Sequence, residues 1–381
     1  MNCRYKVTRI LCLIYALVLY GGSVCASPSE VSVLVMSRHH PSKIEVSCKD
    51  GTVFTGSAQV SGAKRAIVLY SAGRISANVR GRSVKSDKFI FKCAGDIEIG
   101  LSSQGISRLY SGGISVGAGK GELEIINSLP LEQYVVSVTA GEMISKQEEA
   151  LKAQAVLARS YALKNMGRHG SYDFCDLTHC QLYRGSGSLT RAASSAGAAT
   201  AGMILTRGGA PVDVYYHSSC GGKTTSPRRV WGEDGATFPK GIDDGNNCSR
   251  SPQFRWEVVF TPEELESIFG AGAPVDGVRV IERDPSGRVA KLVVKAGRSN
   301  RVFSGIEAYR KTGQSLGWGR LKSAYFDVTK QGNVFIFRGR GLGHGVGMCQ
   351  WGADGMARNG ATYVEILKHY FPGTEIRKVA N

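Results

Sequence analysis

Glu142 stands between Gly141 and Met143, with Val136, Val138 and Ile144 close by in the chain. A carboxyl group in apolar surroundings keeps its proton to higher pH, which a general acid working near neutrality requires. The competing reading is a charge that complements the dipole at the start of the next helix. His169, Cys175, His179 and Cys180 form a second group, four N/S donors within a short stretch and a workable structural zinc set. The same two cysteines also suit a Cys175–Cys180 disulfide, or free thiols beside exposed histidines, and the spacing, which is not that of a standard finger, favours these over zinc. Farther on, Tyr215, Tyr216 and His217 precede Ser218-Ser219-Cys220-Gly221-Gly222, where aromatic rings can stack on a sugar or simply join the core. His344 and Gln350 lie in a Gly-rich turn that fits neither the dinucleotide fingerprint nor a phosphate loop. Such a turn offers a wall of bare backbone that a ligand can approach closely.

The elements that must position these groups are mixed. From Val31 to about Ile126, short alternating runs such as Phe89-Ile90-Phe91 and Glu122 to Ile126 are broken by Gly, Ser, Asn and Asp, the pattern of antiparallel strands. Pro130 can open a helix that ends near Gly141 and Glu142. Gln147 to Met166 is rich in Ala, Glu, Lys, Leu and Gln and is stopped by Gly167. Its small residues, Ala150, Ala153, Ala155, Ala158 and Ala162, predict a buried helix. Helices are also expected within Ser188–Gly202, Pro262–Phe269 and Tyr363–Tyr370, and strands at Met203–Arg207, Val212–His217, Val278–Ile281, Val289–Lys295 and Val334–Arg338. The fold class is therefore α+β: a β-rich catalytic domain with one long buried helix, preceded by a small antiparallel-β region. The expected division is 1–26, 27–120 and 121–381.

The 381 residues carry a formal net charge of +17, which calls for an acidic partner. Arg4, Lys6 and Arg9, the apolar run Ile10–Leu19 and small residues at Val24 and Ala26 read as a signal peptide over 1–26, cut before Ser27. Export, to periplasm or cell wall, argues against nucleic acid and for an envelope polymer; an uncleaved leader would leave the chain membrane-anchored. Three of the ten cysteines lie in this leader, and seven remain. Cys48 with Cys93, and Cys220 with Cys248, are the expected disulfide couples, and the odd count leaves at least one thiol over.

Three ordered blocks carry a resemblance. The first runs from Leu129-Pro130-Leu131-Glu132-Gln133-Tyr134-Val135 through Glu142-Met143 to Glu149–Ala162, and the second covers Tyr215–Thr224 with Val230-Trp231-Gly232. The third is Gly339 to Ala353, leading to Ile366–Gly373. Together they resemble the SpoIID/LytB family, stage II sporulation protein D-like enzymes; the best-matching core is 121–232, with the Gly-rich block at 339–373. The resemblance implies a peptidoglycan lytic transglycosylase that cleaves the MurNAc–GlcNAc bond of denuded glycan strands, with Glu142 as catalytic acid/base.

One carboxyl group suffices for that reaction, because the sugar's own 6-hydroxyl serves as nucleophile; a hydrolase usually needs two. The matching blocks further imply Arg159, Ser160, Gln181, Tyr183, Tyr215, Tyr216, His344 and Gln350 as substrate-binding residues, with Arg184 and Arg340 in a basic groove. Some family members hold zinc at a loop comparable to His169–Cys180, with His179 the least certain ligand; no cofactor is required for the chemistry. Cys349 replaces the serine expected before Gln-Trp-Gly-Ala and is a candidate for the unpaired thiol. The implied functional partner is an N-acetylmuramoyl-L-alanine amidase, in sporulation, division or wall remodelling. Two rivals stand: a non-catalytic glycan-binding or amidase-activating protein, and a zinc-dependent hydrolase. The second lacks HExxH, and four protein ligands would leave no position for water.

Overall fold

The computed structural model describes residues 30–55, 59–143, 145–232 and 241–379. The expected signal peptide lies outside the described residues. No helix among them is long and apolar enough to cross a membrane. The alternating N-terminal runs form an eleven-stranded sheet in which strands such as Ile97–Leu101 and Leu123–Pro130 bury every second side chain. Glu30–Leu34 pairs antiparallel with Leu123–Pro130 and parallel with Phe174–Cys175, which brings the His/Cys loop onto the edge of this sheet. Cys48 and Cys93 are joined by a disulfide.

Strand Leu123–Pro130 runs directly into α1 (Leu131–Glu142), with Pro130 as its N-cap rather than its first residue. Glu142 is the last residue of α1; the next helix, α2 (Glu148–Asn165), begins only after a short connection. The dipole reading of Glu142 is thereby reversed: it sits at a C-terminal end, where an anion is disfavoured. Along α2, Ala150, Ala153, Ala155, Ala158 and Ala162 are fully buried, and their small side chains let α1, α3 (Arg191–Ala199) and the C-terminal helices pack closely around it.

The remaining helices are α4 (Pro227–Trp231), α5 (Pro262–Phe269), α6 (Gly305–Leu316), α7 (Gln350–Arg358) and α8 (Tyr363–Tyr370). In place of a strand over Val212–His217 the structure has the short pieces Ala210–Pro211 and Tyr216–His217. The latter pairs parallel with Met348–Cys349, so two distant blocks meet behind α2.

Two hydrophobic cores result. The first extends from Val31 to Phe371 and joins the N-terminal sheet, α1, α2, α7 and α8 in one cluster. The second, between Trp256 and Phe337, is built from two three-stranded sheets with α5 and α6.

Candidate functional site

Glu142 is held by two donors on one oxygen. The Leu182 backbone N–H donates to Oε1 at 2.6 Å, and the Tyr216 hydroxyl donates to the same oxygen at 3.3 Å. The close approach of Leu182 requires Gly141, because a Cβ there would stand 2.7 Å from the Leu182 carbonyl oxygen. Tyr216 is fixed in turn by Gln181, whose Nε2 donates to its hydroxyl at 3.0 Å while Oε1 accepts from the fully buried Tyr134. Among the described residues, no protein donor is recorded on Oε2. One carboxylate oxygen is thus anchored by two donors.

Burial raises the proton affinity of Glu142 above the ordinary carboxyl value; the Leu182 N–H, the Tyr216 hydroxyl and the exposed Arg184 pull against it without cancelling it. The carbonyl end of α1 acts in the same direction as burial. Tyr216 itself is pushed well above the usual phenol range by burial and by the neighbouring carboxylate, so it remains a donor. A half-buried carboxyl with raised proton affinity can give a proton to a leaving group and take one back.

The residues that the sequence groups with Glu142 divide clearly. Tyr216 and Gln181 belong to its immediate surroundings. His344 stands behind them: Nδ1 accepts from the Val346 N–H, so Nε2 carries the proton and donates to the Tyr216 carbonyl at 3.0 Å. Burial lowers His344 to about 4, which makes it a neutral positioning group at ordinary pH. Tyr215 lies beside Trp231 with ring centroids 4.8 Å apart, and Trp231 reaches His344 at 5.2 Å. Trp231 is 43% exposed and offers a sugar-sized aromatic face on this side of the site. The available sequence signal for it is its place in the Val230-Trp231-Gly232 block. Gln350 bonds to Gln154 at 3.3 Å, against α2.

Three expectations, for Arg159, Ser160 and Tyr183, are corrected by burial and pairing. Arg159 is fully buried and clamps Glu132 through both Nε and Nη2, with Nη1 on the Met203 carbonyl, so it cannot line a groove. Ser160 is buried between the Val156 carbonyl and the Leu205 N–H. Tyr183 is 1% exposed, donates to Asn127 and stacks on Tyr134, which makes it core. Arg340 lies over the Tyr325 ring, lining a cavity of about 460 Å³ beside Trp256 whose lining does not include Glu142. Of the three groove arginines, Arg184 alone adjoins the carboxyl group.

The His/Cys loop brings its four donors together. His169 Nε2 is 3.1 Å from Cys180 Sγ, the two sulfurs are 3.6 Å apart, and His179 Nδ1 is 3.5 Å from each. All four lie within 4.8 Å of one another. Bonds of the usual zinc lengths give tetrahedral edges of about 3.3–3.8 Å, so the donor set fits that ion. Cys175 and Cys180 are free thiols, not a disulfide. Cys220 and Cys248 are also unbonded, their sulfurs 3.5 Å apart and accompanied by a third thiol, Cys349, which corrects the expected pairing.

Residues 119–207 match the family described as stage II sporulation protein (SpoIID), and residues 232–347 match a domain of unknown function (DUF8618). The chain is 27% identical to stage II sporulation protein D of Bacillus subtilis over 78% of its own length and 87% of that protein. It is 32% identical to an uncharacterized protein of Brachyspira hyodysenteriae, over 66% of this chain and 68% of the other. A third similarity, 26% over 60% of this chain and 38% of the other, is to the amidase enhancer of Bacillus subtilis.

Proposed function

Since the chain belongs to the stage II sporulation protein D family, we propose that it is an exported peptidoglycan lytic transglycosylase acting on glycan strands stripped of their stem peptides. The observation that carries this reading is the Glu142 carboxyl group, half-buried, anchored through Oε1 and with no donor on Oε2 among the described residues. In the first step Glu142 protonates the glycosidic oxygen. The bond from MurNAc C1 to that oxygen breaks, and the MurNAc 6-hydroxyl closes on C1. The resulting Glu142 carboxylate takes the hydroxyl proton, so the enzyme returns to its starting state and the strand ends in 1,6-anhydroMurNAc. No water and no second carboxylate take part. One carboxyl group suffices for this route, whereas hydrolysis usually calls on two.

Tyr216, Gln181 and His344 position the acid, and in this reading Trp231 meets a sugar face and Arg184 a lactyl carboxylate. A structural zinc on His169, Cys175, His179 and Cys180 would fasten the loop that leads into Gln181 and Leu182. All four positions would be filled by protein, so it would supply no water and take no part in the reaction. The amidase enhancer relative favours a second reading, in which the chain binds glycan and assists an amidase without cleaving.

The test is mass spectrometry of soluble products from intact and amidase-stripped peptidoglycan, with Glu142→Gln as control. Anhydro ends from stripped strands are expected, reduced by about 10²–10⁴-fold in the variant while binding to stripped glycan persists. Reducing ends would mean hydrolysis. Binding without any product from the unaltered protein would favour the amidase-assisting reading.

A further inference from the structure

Behind the strand that carries Tyr216 lies a second cluster that the reaction does not use. Cys220, Cys248 and Cys349 are wholly buried, and Asp244 is 2% exposed. Their sulfurs and one carboxylate oxygen all lie within 4.8 Å of one another, with Cys220 Sγ 3.5 Å from Cys248 Sγ and 3.0 Å from Asp244 Oδ2. The carboxylate is aimed. Tyr370 donates to Oδ1 at 2.6 Å and Asn247 at 3.2 Å, while His369 Nε2 lies 3.4 Å from the same oxygen. Oδ2 is thereby turned toward the sulfurs, as the outer partners of a metal-binding carboxylate would turn it.

The sulfurs in turn receive backbone N–H groups: Cys220 N–H and Gly352 N–H point at Cys349 Sγ, and Gly222 N–H points at Cys220 Sγ. Such donors favour the thiolate form that binds metal. The buried Arg288 guanidinium donates to the Cys220 carbonyl and forms no ion pair among the described residues, as suits a neighbour of a net-negative centre. The loop bearing Asp244 and Cys248 reaches Cys349 because α7 is bare on that side. A Cβ on Gly352 would stand 2.0 Å from the Tyr370 hydroxyl, and one on Gly355 2.0 Å from the Asn247 carbonyl oxygen.

We propose that Cys220, Asp244, Cys248 and Cys349 form a second structural metal site, an S₃O set for zinc. Three thiolates select a soft or borderline ion, and four protein ligands close the site against water. A disulfide between Cys220 and Cys248 would leave Asp244 buried with uncharged sulfur facing Oδ2 and His369 as the one ionisable base in contact with it among the described residues. The ion instead ties three segments together: the end of strand Tyr216–His217, the 241–254 loop, and the start of α7. It therefore fastens the strand that presents Tyr216 to Glu142. The site does not depend on the reaction assigned to Glu142.

The experiment measures zinc content of the full chain and maps cysteines under non-reducing conditions by alkylation in denaturant. Cys175→Ser/Cys180→Ser, which dismantles the first cluster, should retain about one zinc per chain, and adding Cys349→Ser should remove it. In the unaltered chain Cys220, Cys248 and Cys349 should all be alkylated. Cobalt loaded into Cys175→Ser/Cys180→Ser should show a near-ultraviolet thiolate charge-transfer band. A Cys220–Cys248 disulfide in the unaltered chain overturns the proposal. So does a folded Cys175→Ser/Cys180→Ser protein without zinc. If that variant does not fold, Cys349→Ser in the otherwise unaltered chain decides: loss of about one zinc per chain relative to the unaltered protein sustains the site, and unchanged zinc content defeats it.

Discussion

At the end of α1 the peptide dipoles present carbonyl oxygens, so an anion there is disfavoured even before burial is counted. Glu142 bears both costs, and the Leu182 N–H and the Tyr216 hydroxyl offset only part of them. The sign of its pH dependence follows. The first step needs the protonated acid, so the rate should hold at acid pH and fall as pH rises through a Glu142 value above the ordinary carboxyl range. The Tyr216 hydroxyl stabilises the ionised form. Tyr216→Phe removes that donor and should move the alkaline limb upward, with a rate loss of about tenfold or less because the acid itself remains. The pH profile of anhydro-product formation checks this. A limb that stays in place or moves downward would show that Tyr216 does not set the proton affinity of Glu142.

The elements differ in how much of their role their own residues reveal. Helix α2 is legible because its Ala-rich run has the same meaning locally and in the core, and it forms within one residue of the expected span. Helices α5 and α8 are legible from capping boxes, Thr261 with Glu264 and Thr362 with Glu365. α6 has the same device in Ser304 and Glu307, but its opening Gly305 and polar approach conceal it. α7 is hidden by Gly352 and Gly355, poor helix formers kept because the 241–254 loop presses against them. In the site, the apolar setting of Glu142 left an acid and a helix-end charge both open and only the block resemblance favoured the acid, whereas the buried Arg159, Ser160 and Tyr183 could not be told from cleft residues. Residue type shows what a side chain can bond, and only packing shows with whom. Arg159 joins α2 to α1 through Glu132, so its loss should loosen the helix that ends in Glu142. Arg159→Met should cost about 2–4 kcal/mol in urea unfolding, below the strongest buried pairs because Glu132 is partly exposed. Its affinity for stripped glycan, measured by sedimentation below the transition, should remain within about twofold of the unaltered protein, as expected for a group with no ligand contact. Unchanged stability with a large affinity loss would return Arg159 to the groove.

Across the whole molecule, the positive charge is too large to be explained by any one pair. The leader contributes only three of the +17 charges, through Arg4, Lys6 and Arg9. Many of the remaining cations are occupied in surface pairs, such as Arg65 with Glu45, Arg320 with Glu264 and Arg338 with Glu257. Those pairs add little to stability, yet they leave the net field positive. A stripped strand repeats one lactyl carboxylate per MurNAc, whereas an intact strand has that group in amide linkage to its stem. On the proposed function the field attracts the lactyl carboxylate that stripping exposes on each MurNAc, and salt should weaken that attraction. Binding to stripped glycan should fall on the order of tenfold between low salt and about 0.3 M, as the screening length contracts to a few ångströms, while binding to intact strands should change less. Sedimentation of Glu142→Gln with each substrate across a salt series separates binding from cleavage. Equal salt slopes for the two substrates would mean that the charge serves general attachment to the wall, and that the preference for stripped strands must come from contacts near Trp231 and Arg184.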